Sequence, residues 1–357
     1  MDIASIFRRG SDDLFGVDVS ASGIKLVGLG GQKERLVLQH CAMEALSDGC
    51  VIDGAIEQVD EAAATLRRLV KRTGSKTKKI ALALPSSSVI TKKIAIPSGL
   101  TPLEMEEHVE VEAKQYIPFP LDEVSLDFFG MGASPDRQGQ DDVVIAAARR
   151  EHVQNLQDFA EAAGMVPVIV DINSYALRLA IGRILDVQAK ATPGTLSVLY
   201  KLGATKTSIQ VLRGKDLVYE RDQTVGGAQL TKKIASQYGL SAAEAETRKC
   251  LGNLGQGYEA AVLAPFVATL VQELSRGLQL FFNSTPYNKV NQVFLTGGGA
   301  LLGGLAAAVA AETQVPCAIV NPFQGMVVGA DLQRKQVLQD APAYLGACGL
   351  ALRRFFN

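Results

Sequence analysis

Two short turns, about half the chain apart, carry the residue types that hold phosphate groups in proteins. Both turns are rich in small and hydroxyl-bearing residues and contain glycine; they span residues 20–23 and 203–207. Backbone N–H groups in such turns donate hydrogen bonds to phosphate oxygens, and glycine allows the ligand to come close. A third cluster, the glycines at 297–299, follows an apolar run. Together the three turns suit a nucleotide that is held between two similar lobes.

Each of the first two turns lies between two apolar runs, so each predicts a β-hairpin. The two hairpins cover 15–29 and 199–212. Segments with helical spacing of apolar residues separate the predicted strands. We therefore expect an α/β protein with two lobes, each of which carries one phosphate hairpin.

Turns and linkers along the chain predict its domain organisation. A flexible, basic tail is expected over 1–13. A first lobe should cover 14–188 and a second lobe 194–340, and a helix of small residues in 341–357 should pack back on the first lobe. A boundary rich in proline and serine marks an inserted β-α-β-β-α subdomain over 86–165.

Composition argues against several classes of function. The chain has 357 residues, of which 47% are hydrophobic, enough for two or three domains with buried cores. A net charge of -1 gives no general attraction to nucleic acid or acidic membranes. Five cysteines without a CxxC pair and only three histidines argue against a zinc site and indicate a reducing compartment. With no N-terminal leader and no apolar stretch of roughly 20 residues, we expect a soluble, cytoplasmic protein.

The order of these parts resembles the superfamily that contains actin and the sugar kinases. The resemblance implies a two-lobed actin-like (ribonuclease H-like) fold with ATP or ADP between the lobes. It also implies that Asp18 holds Mg²⁺ through water, that Glu246 takes the ribose hydroxyls and that Lys249 flanks the base. The full set of residues that it assigns to the nucleotide is Asp18, Ser20, Ala21, Ser22, Lys25, Lys201, Gly203, Ala204, Thr205, Gly226, Gly227, Glu246, Lys249, Gly297, Gly298 and Gly299.

Two of these assignments have simpler alternatives. The spacing of Glu246 and Lys249 is also that of an ordinary exposed helical face. The glycine cluster at 297–299 is also compatible with a packing turn between a strand and a helix.

Lys201 departs from the superfamily pattern. Aligning the glycine turns puts it two residues before Gly203, where the superfamily has an aspartate. That aspartate orients the attacking water and helps to hold the metal, whereas a charged lysine accepts no proton and repels Mg²⁺. A lysine can instead pair with a phosphate as a point charge. The departure predicts ATP binding with very slow or no hydrolysis; with the alignment shifted by one residue, Lys201 would point away from the site.

The inserted subdomain distinguishes between branches of the superfamily. It resembles the subdomain of the branch that contains FtsA and PilM. The segment Glu112–Val124 and the ending Ala347–Arg353 resemble the type IV pilus assembly protein PilM family, and the likeness covers about 14–354. It implies a nucleotide-binding cytoplasmic scaffold of the pilus inner-membrane alignment complex, peripherally associated with the inner membrane. The implied partner is the N-terminal cytoplasmic tail of PilN. Other pilus components and a second copy of the chain are further candidate partners.

The residues that the resemblance assigns to the PilN tail lie at the end of a predicted helix. An extended peptide can lie on such an apolar surface, with main-chain hydrogen bonds and pockets for its side chains. Packing within the subdomain is the alternative explanation for each of them. The assigned residues are Tyr116, Pro118, Phe119 and Pro120.

Two other functions stay open at the level of the sequence. One is an FtsA-like filament protein of cell division, and the other is a small-molecule kinase of the same superfamily. A kinase needs a base for its acceptor hydroxyl, and the inserted subdomain offers no obvious one. Lys201 also argues against phosphoryl transfer. In the scaffold hypothesis, membrane contact occurs only through partners.

Overall fold

The computed structural model of the chain describes residues 13–189, 192 and 194–356. The flexible tail expected over 1–13 therefore lies outside the described residues, apart from Asp13. The described chain contains two large mixed sheets, a three-stranded sheet and a two-stranded ribbon, with helices around them. This is the α/β arrangement that the sequence predicts.

Helices are interspersed among the strands along the described chain. The first part of the chain contains β1 (Phe15–Ser20), β2 (Gly23–Gln32), β3 (Arg35–Glu44), β4 (Val51–Ile52), β5 (Ala55–Ile56), α1 (Val59–Thr73) and β6 (Lys79–Leu84). The middle part contains β7 (Val89–Pro97), α2 (Pro102–Ala113), β8 (Val124–Ala133), β9 (Gln140–Arg149), α3 (Arg150–Ala162), β10 (Val166–Ile172) and α4 (Asn173–Val187). The last part contains β11 (Leu196–Leu202), β12 (Thr207–Arg213), β13 (Asp216–Gln223), α5 (Gly227–Tyr238), α6 (Ala242–Leu251), α7 (Ala264–Ser284), β14 (Gln292–Thr296), α8 (Leu305–Thr313), β15 (Cys317–Ile319), β16 (Val327–Val328), α9 (Arg334–Asp340) and α10 (Leu345–Leu352). In the part of the chain that the structure describes, no helix combines the length and the apolar character needed to cross a membrane.

The first sheet brings the first phosphate hairpin to the edge where its parallel strands end. Its strand order is β10-β6-β1-β2-β3-β16. β1 and β2 form an antiparallel hairpin in which Asp18 pairs with Lys25 and Ser20 with Gly23. β6 runs parallel to β1 and to β10, so the C-terminal ends of these three strands meet at one edge. Asn173, which follows β10, is thereby brought to the edge that carries the hairpin tip.

The second sheet repeats this plan. Its strand order is β13-β12-β11-β14-β15. β11 and β12 form the second antiparallel hairpin, in which Lys201 pairs with Ser208. β14 runs parallel to β11 and places Thr296 beside Lys201. The glycine cluster that follows Thr296 therefore lies next to the end of β11.

The inserted unit has a core of its own. Its antiparallel sheet has the order β7-β9-β8, and α2 packs on that sheet through Val109 and Ala113, which share a buried cluster with Ile94 and Ile145. Helix α2 starts with a capping box between Thr101 and Glu104, its third helical residue, and has proline in the first turn.

Helix α3, which the sequence analysis groups with the inserted subdomain, packs on the first lobe. Its Leu156 and Phe159 share a hydrophobic cluster with Leu66 of α1 and Ile80 of β6. The inserted packing unit therefore consists of β7, α2, β8 and β9, while α3 covers the first sheet together with α1.

The C-terminal helix α10 joins the two lobes. It approaches α4 so closely that a Cβ at Gly349 would lie 1.9 Å from the carbonyl oxygen of Ala176. Gly16 of β1 permits an equally close approach to the first sheet, because a Cβ there would lie 2.1 Å from the Ala347 carbonyl oxygen. α10 also shares one buried cluster with β11, β12 and β14 of the second sheet. A continuous core therefore extends from one lobe to the other.

Gly349→Ala tests this close packing. The added methyl group has no space beside the Ala176 carbonyl, so we expect the free energy of unfolding, measured by urea denaturation, to fall by about 1–3 kcal/mol. Gly182→Ala on α4 is the matched control, because the nearest atom to its new Cβ would be in the Lys215 side chain at 3.7 Å. There alanine should be neutral or stabilise the helix by up to ~1 kcal/mol. Equal stability of the two variants would contradict the packing described for α10.

Candidate functional site

A carboxylate and two ammonium groups, drawn from both lobes, form a charged centre between the two hairpins. Lys201 Nζ lies 3.4 Å from Asp18 Oδ2 and 3.4 Å from Asn173 Oδ1. Lys25 stands opposite Asp18 in the first hairpin, and its Nζ donates to Ser20 Oγ at 2.6 Å. The structure thus brings together predicted residues of the two hairpins that are 183 positions apart in the chain.

Lys25 is tied to the tip of the first hairpin. Besides Ser20, its Nζ donates to Ser22 Oγ at 3.0 Å. Burial lowers the pKa of Lys25 to about 8; the Asp18 carboxylate opposes this shift and the Lys201 ammonium adds to it. A buried ammonium group has lost most of its hydration. Its electrostatic attraction to a bound anion is therefore stronger than that of a fully solvated ammonium group.

Mg²⁺ usually keeps several waters and is held by one or two carboxylates and the ligand's phosphates, so Asp18 would need free space for a hydrated ion. Asp18 is only 7% exposed. Its Oδ2 faces Lys201 and also packs on Gly346, where a Cβ would lie 2.6 Å from that oxygen. Across the residues that the structure describes, no three His, Cys, Asp or Glu side chains are grouped as a metal site. The residues present do not fit the ion that the resemblance implies, whereas two ammonium groups beside one carboxylate fit an anion.

The tip of the second hairpin packs on the start of α5. The N–H groups of Gly227 and Ala228 donate to the carbonyls of Gly203 and Ala204 at 2.9 and 2.8 Å. A Cβ at Gly226 would lie 2.4 Å from the Ala204 carbonyl oxygen, so this close packing requires glycine. The predicted glycine pair therefore lies beside the predicted hairpin tip, and Gly227 uses its N–H to hold that tip.

A second ion pair joins the lobes next to this tip. Lys206 Nζ lies 2.6 Å from Asp53 Oδ1, and Asp53 belongs to the turn between β4 and β5 of the first lobe. The remaining predicted tip residues are exposed or half-buried, and so are open to a ligand: Ala21, Ser22 and Thr205.

Glu246 and Lys249 lie on α6 against the start of α5. Lys249 Nζ lies 2.6 Å from Glu246 Oε2, and it donates to Thr231 Oγ1 at 2.8 Å and to the Gly227 carbonyl at 3.3 Å. Burial acts to raise the pKa of Glu246, but hydrogen bonds from Lys249 and Thr231 outweigh it and hold that pKa below its ordinary value. The Lys249 side chain is only 15% exposed. Glu246 and Lys249 therefore form a hydrogen-bonded contact between α6 and α5 rather than an ordinary solvated helix face.

The three glycines after β14 have different roles. Gly297 has a φ of 84° and would bring a Cβ within 2.4 Å of the Leu202 carbonyl oxygen, and a Cβ at Gly299 would lie 2.8 Å from Leu202 Cβ. Both glycines are therefore needed for packing against the end of β11. Gly298 borders open space, because a Cβ at this position would have no neighbouring atom within 4 Å.

Comparison with known families identifies the family of this chain. The model of the family described as type IV pilus assembly protein PilM matches residues 16–355. The chain belongs to this family.

Two solved structures show how far the likeness to known proteins extends. The chain is similar to the PilM-PilN type IV pilus biogenesis complex, with 29% identity over 98% of this chain and 100% of that chain and a TM-score of 0.79. It is also similar to the ethanolamine utilization protein EutJ from Carboxydothermus hydrogenoformans, with 17% identity over 96% of this chain and 89% of that chain and a TM-score of 0.57. The two-lobed actin-like fold predicted from the sequence is confirmed.

Membership of the PilM family also separates the three functional hypotheses. It confirms the family predicted from the sequence and favours pilus assembly over an FtsA-like filament protein and over a small-molecule kinase.

The residues that the PilM resemblance assigns to a peptide lie in one short segment after α2, here called the aromatic surface. Tyr116 is 39% exposed, and Lys92 Nζ lies 5.0 Å from the centre of its ring. Phe119 is half-buried, and the Arg149 guanidinium lies 4.1 Å from its ring centre. The two other assigned residues are exposed: Pro118 and Pro120.

The aromatic surface adjoins the first lobe. Arg149 is the last residue of β9 and directly precedes α3, which packs on the first sheet. Ala148, one residue earlier, is already part of the first lobe's buried cluster. The surface therefore lies at the end of the inserted unit that meets the lobe.

Glu220 joins the two lobes, and the sequence analysis did not predict this role. It lies on the edge strand β13 and accepts hydrogen bonds from Ser86 and Ser174 of the first lobe and from Gln210. Burial raises the pKa of Glu220, and these hydrogen bonds oppose the rise. The one available signal is its spacing of two from Asp222, which puts both carboxylates on the same face of a strand. The charged residues of this edge strand by themselves predict a solvent-exposed strand.

Two alanine substitutions separate the packing glycines from the one that borders open space. Gly226→Ala should lower the free energy of unfolding by about 1–3 kcal/mol, because the new methyl group would overlap the Ala204 carbonyl. Gly298→Ala should change it by less than about 0.5 kcal/mol, because the new methyl group meets nothing. Urea denaturation of both variants tests this, and a large loss of stability for Gly298→Ala would show that the turn is packed on all sides.

Proposed function

We propose that this chain is a nucleotide-binding scaffold of type IV pilus assembly. It holds ATP or ADP between its lobes and the N-terminal tail of PilN against the aromatic surface. The observation that carries the proposal is the likeness, over 98% of the chain, to the PilM-PilN complex. In this role the protein acts in the cytoplasm and reaches the inner membrane through PilN.

The charged centre supports binding of the polyphosphate. Lys25 and Lys201 supply two positive charges at the hairpins, next to the Asp18 carboxylate. The exposed tips of both hairpins add hydroxyl and N–H donors of the kind that phosphate oxygens accept. Because the two lysines come from different lobes, a bound phosphate draws both lobes to itself.

The environment of α6 supports binding of the ribose and base. The hydrogen bonds from Thr231 and Lys249 both go to Glu246 Oε2. Among the described residues, Oε1 accepts a hydrogen bond from the Cys250 thiol alone, at 3.6 Å. A carboxylate has about four acceptor positions, so Glu246 can accept ribose hydroxyls without losing its contacts to α5. Gly298 borders the open space that an adenine ring requires.

Turnover should be very slow or absent. Lys201 accepts no proton while it is charged, and the Asn173 amide is not a general base. Asp18 already faces Lys201, and Glu220 is engaged by hydroxyl and amide donors. The nucleotide therefore acts as a structural ligand that biases the arrangement of the lobes.

ATP should raise the thermal midpoint of the protein. A ligand that binds only the folded state stabilises it by about 2.7 kcal/mol at a concentration 100 times its Kd. Lys25→Ala should weaken ATP binding by about tenfold or more, whereas Lys289→Ala, at an exposed position of the second lobe, should leave it unchanged. Calorimetric titration measures both affinities, and phosphate release should stay at the background rate. Absence of any thermal shift with the wild-type protein would refute the nucleotide part of the proposal.

The aromatic surface and its neighbours suit an extended peptide. β7, which carries Lys92, is an edge strand of the inserted sheet, so a peptide can add to it by main-chain hydrogen bonds. Tyr116 and Phe119 offer flat apolar contacts, and the cations above their rings can reach acidic or carbonyl groups of the peptide. The main-chain hydrogen bonds would supply affinity for the peptide, and the side-chain contacts would fix its register along β7.

A peptide copying the N-terminal cytoplasmic tail of PilN should bind to the aromatic surface. Phe119→Asp should weaken this binding by about tenfold or more, since aromatic anchors dominate such interfaces. Met131→Asp is the matched control, because Met131 is 57% exposed on β8 of the same unit, outside the aromatic surface. Fluorescence anisotropy of a labelled peptide gives both affinities, and an unchanged ATP-induced thermal shift verifies that each variant is folded. Unaltered binding by Phe119→Asp would move the peptide site elsewhere.

A further inference from the structure

Three carboxylates near the two hairpins already face ammonium groups. Lys201 Nζ lies 3.4 Å from Asp18 Oδ2, and Lys206 Nζ lies 2.6 Å from Asp53 Oδ1. Burial raises the pKa of Asp222, and the charges of Lys206 and Lys201 oppose that rise. Each of these three side chains, which would otherwise attract a cation, is thus near a positive charge that the protein itself supplies.

The position beside Asp18 is where a hydrated metal ion would have to lie. A carboxylate that holds Mg²⁺ through water needs room for the water and the ion, so the ion lies about 4 Å from the carboxylate oxygen. Lys201 Nζ occupies this zone at 3.4 Å from Oδ2. The same oxygen packs on Gly346, where a Cβ would lie only 2.6 Å away. A dication there would also stand next to a second ammonium group, that of Lys25.

Lys201 keeps bonding capacity for a ligand. Its two contacts, to Asp18 and to Asn173, are both 3.4 Å long. Charge-assisted hydrogen bonds of this type are normally about 2.7–2.9 Å long. A phosphate oxygen can therefore form a shorter and stronger bond to Lys201 than either of the groups that now contact it.

We propose that this site binds ATP or ADP without a divalent cation, with the Lys25 and Lys201 ammonium groups taking the charge-neutralising place of Mg²⁺. The inference rests on the proposed nucleotide function. It assigns the metal-free nucleotide as the ligand, because the magnesium complex has less negative charge and would bring its dication against both lysines. Added Mg²⁺ should therefore leave the apparent affinity unchanged or weaken it.

Calorimetric titration of the wild-type full chain with ATP, once with excess EDTA and once with excess Mg²⁺, tests the inference. The affinity in EDTA should equal the affinity in Mg²⁺ within about threefold or exceed it. A greater weakening in EDTA would overturn the inference and leave the nucleotide function intact. No binding under either condition would overturn both, so the two failures are distinguishable.

A charge-reversal variant gives a second, independent test. Lys201→Asp removes one of the two neutralising charges, so its affinity for ATP in EDTA should fall by about tenfold or more. Lys289→Asp makes the same change of charge at an exposed position of the second lobe and should leave that affinity unchanged. Wild-type affinity of Lys201→Asp in EDTA would overturn the inference. If this variant fails to fold, the wild-type titration alone decides.

Discussion

The close packing of α10 on the first sheet is the constraint that brings the hairpins of the two lobes together. Glycine at 16, 346 and 349 lets the helix backbone approach β1, Asp18 and α4 at distances that no side chain would allow. The segment just before α10 is bound to the second lobe, because the Pro342 carbonyl accepts hydrogen bonds from Thr296 and from Gly297. One short segment therefore sets how far apart the two phosphate hairpins lie.

Charge pairing across the lobes follows from that spacing. Asp18 and Lys201 meet because α10 holds both sheets, and Lys206 reaches Asp53 beside the second hairpin tip. The exposed Lys206–Asp53 pair contributes about 1 kcal/mol or less. In the largely buried Asp18–Lys201 pair, the cost of removing both charges from water offsets their attraction. The shared hydrophobic core, rather than these pairs, therefore holds the lobes together. The pairs instead place ammonium groups of the second hairpin beside carboxylates of the first lobe.

The second lobe also contacts the base of the inserted unit. Glu220 on β13 accepts a hydrogen bond from Ser86, which lies three residues before β7. β7 in turn carries Lys92, whose ammonium lies over the Tyr116 ring. The interlobe contacts and the aromatic surface are therefore linked by packed, hydrogen-bonded elements.

Local patterns in the sequence determined the two hairpins, the capping box at Thr101 and the order of strands and helices, because each depends on a few adjacent residues. Motif spacing also singled out the hairpin tips and the glycine turns. Only the tertiary structure decided that α3 covers the first lobe, that Gly297 and Gly299 serve packing, and that Glu220 joins two lobes. The physical reason is that an amphipathic face or a charged strand specifies only that a partner exists, whereas the partner itself comes from distant parts of the chain.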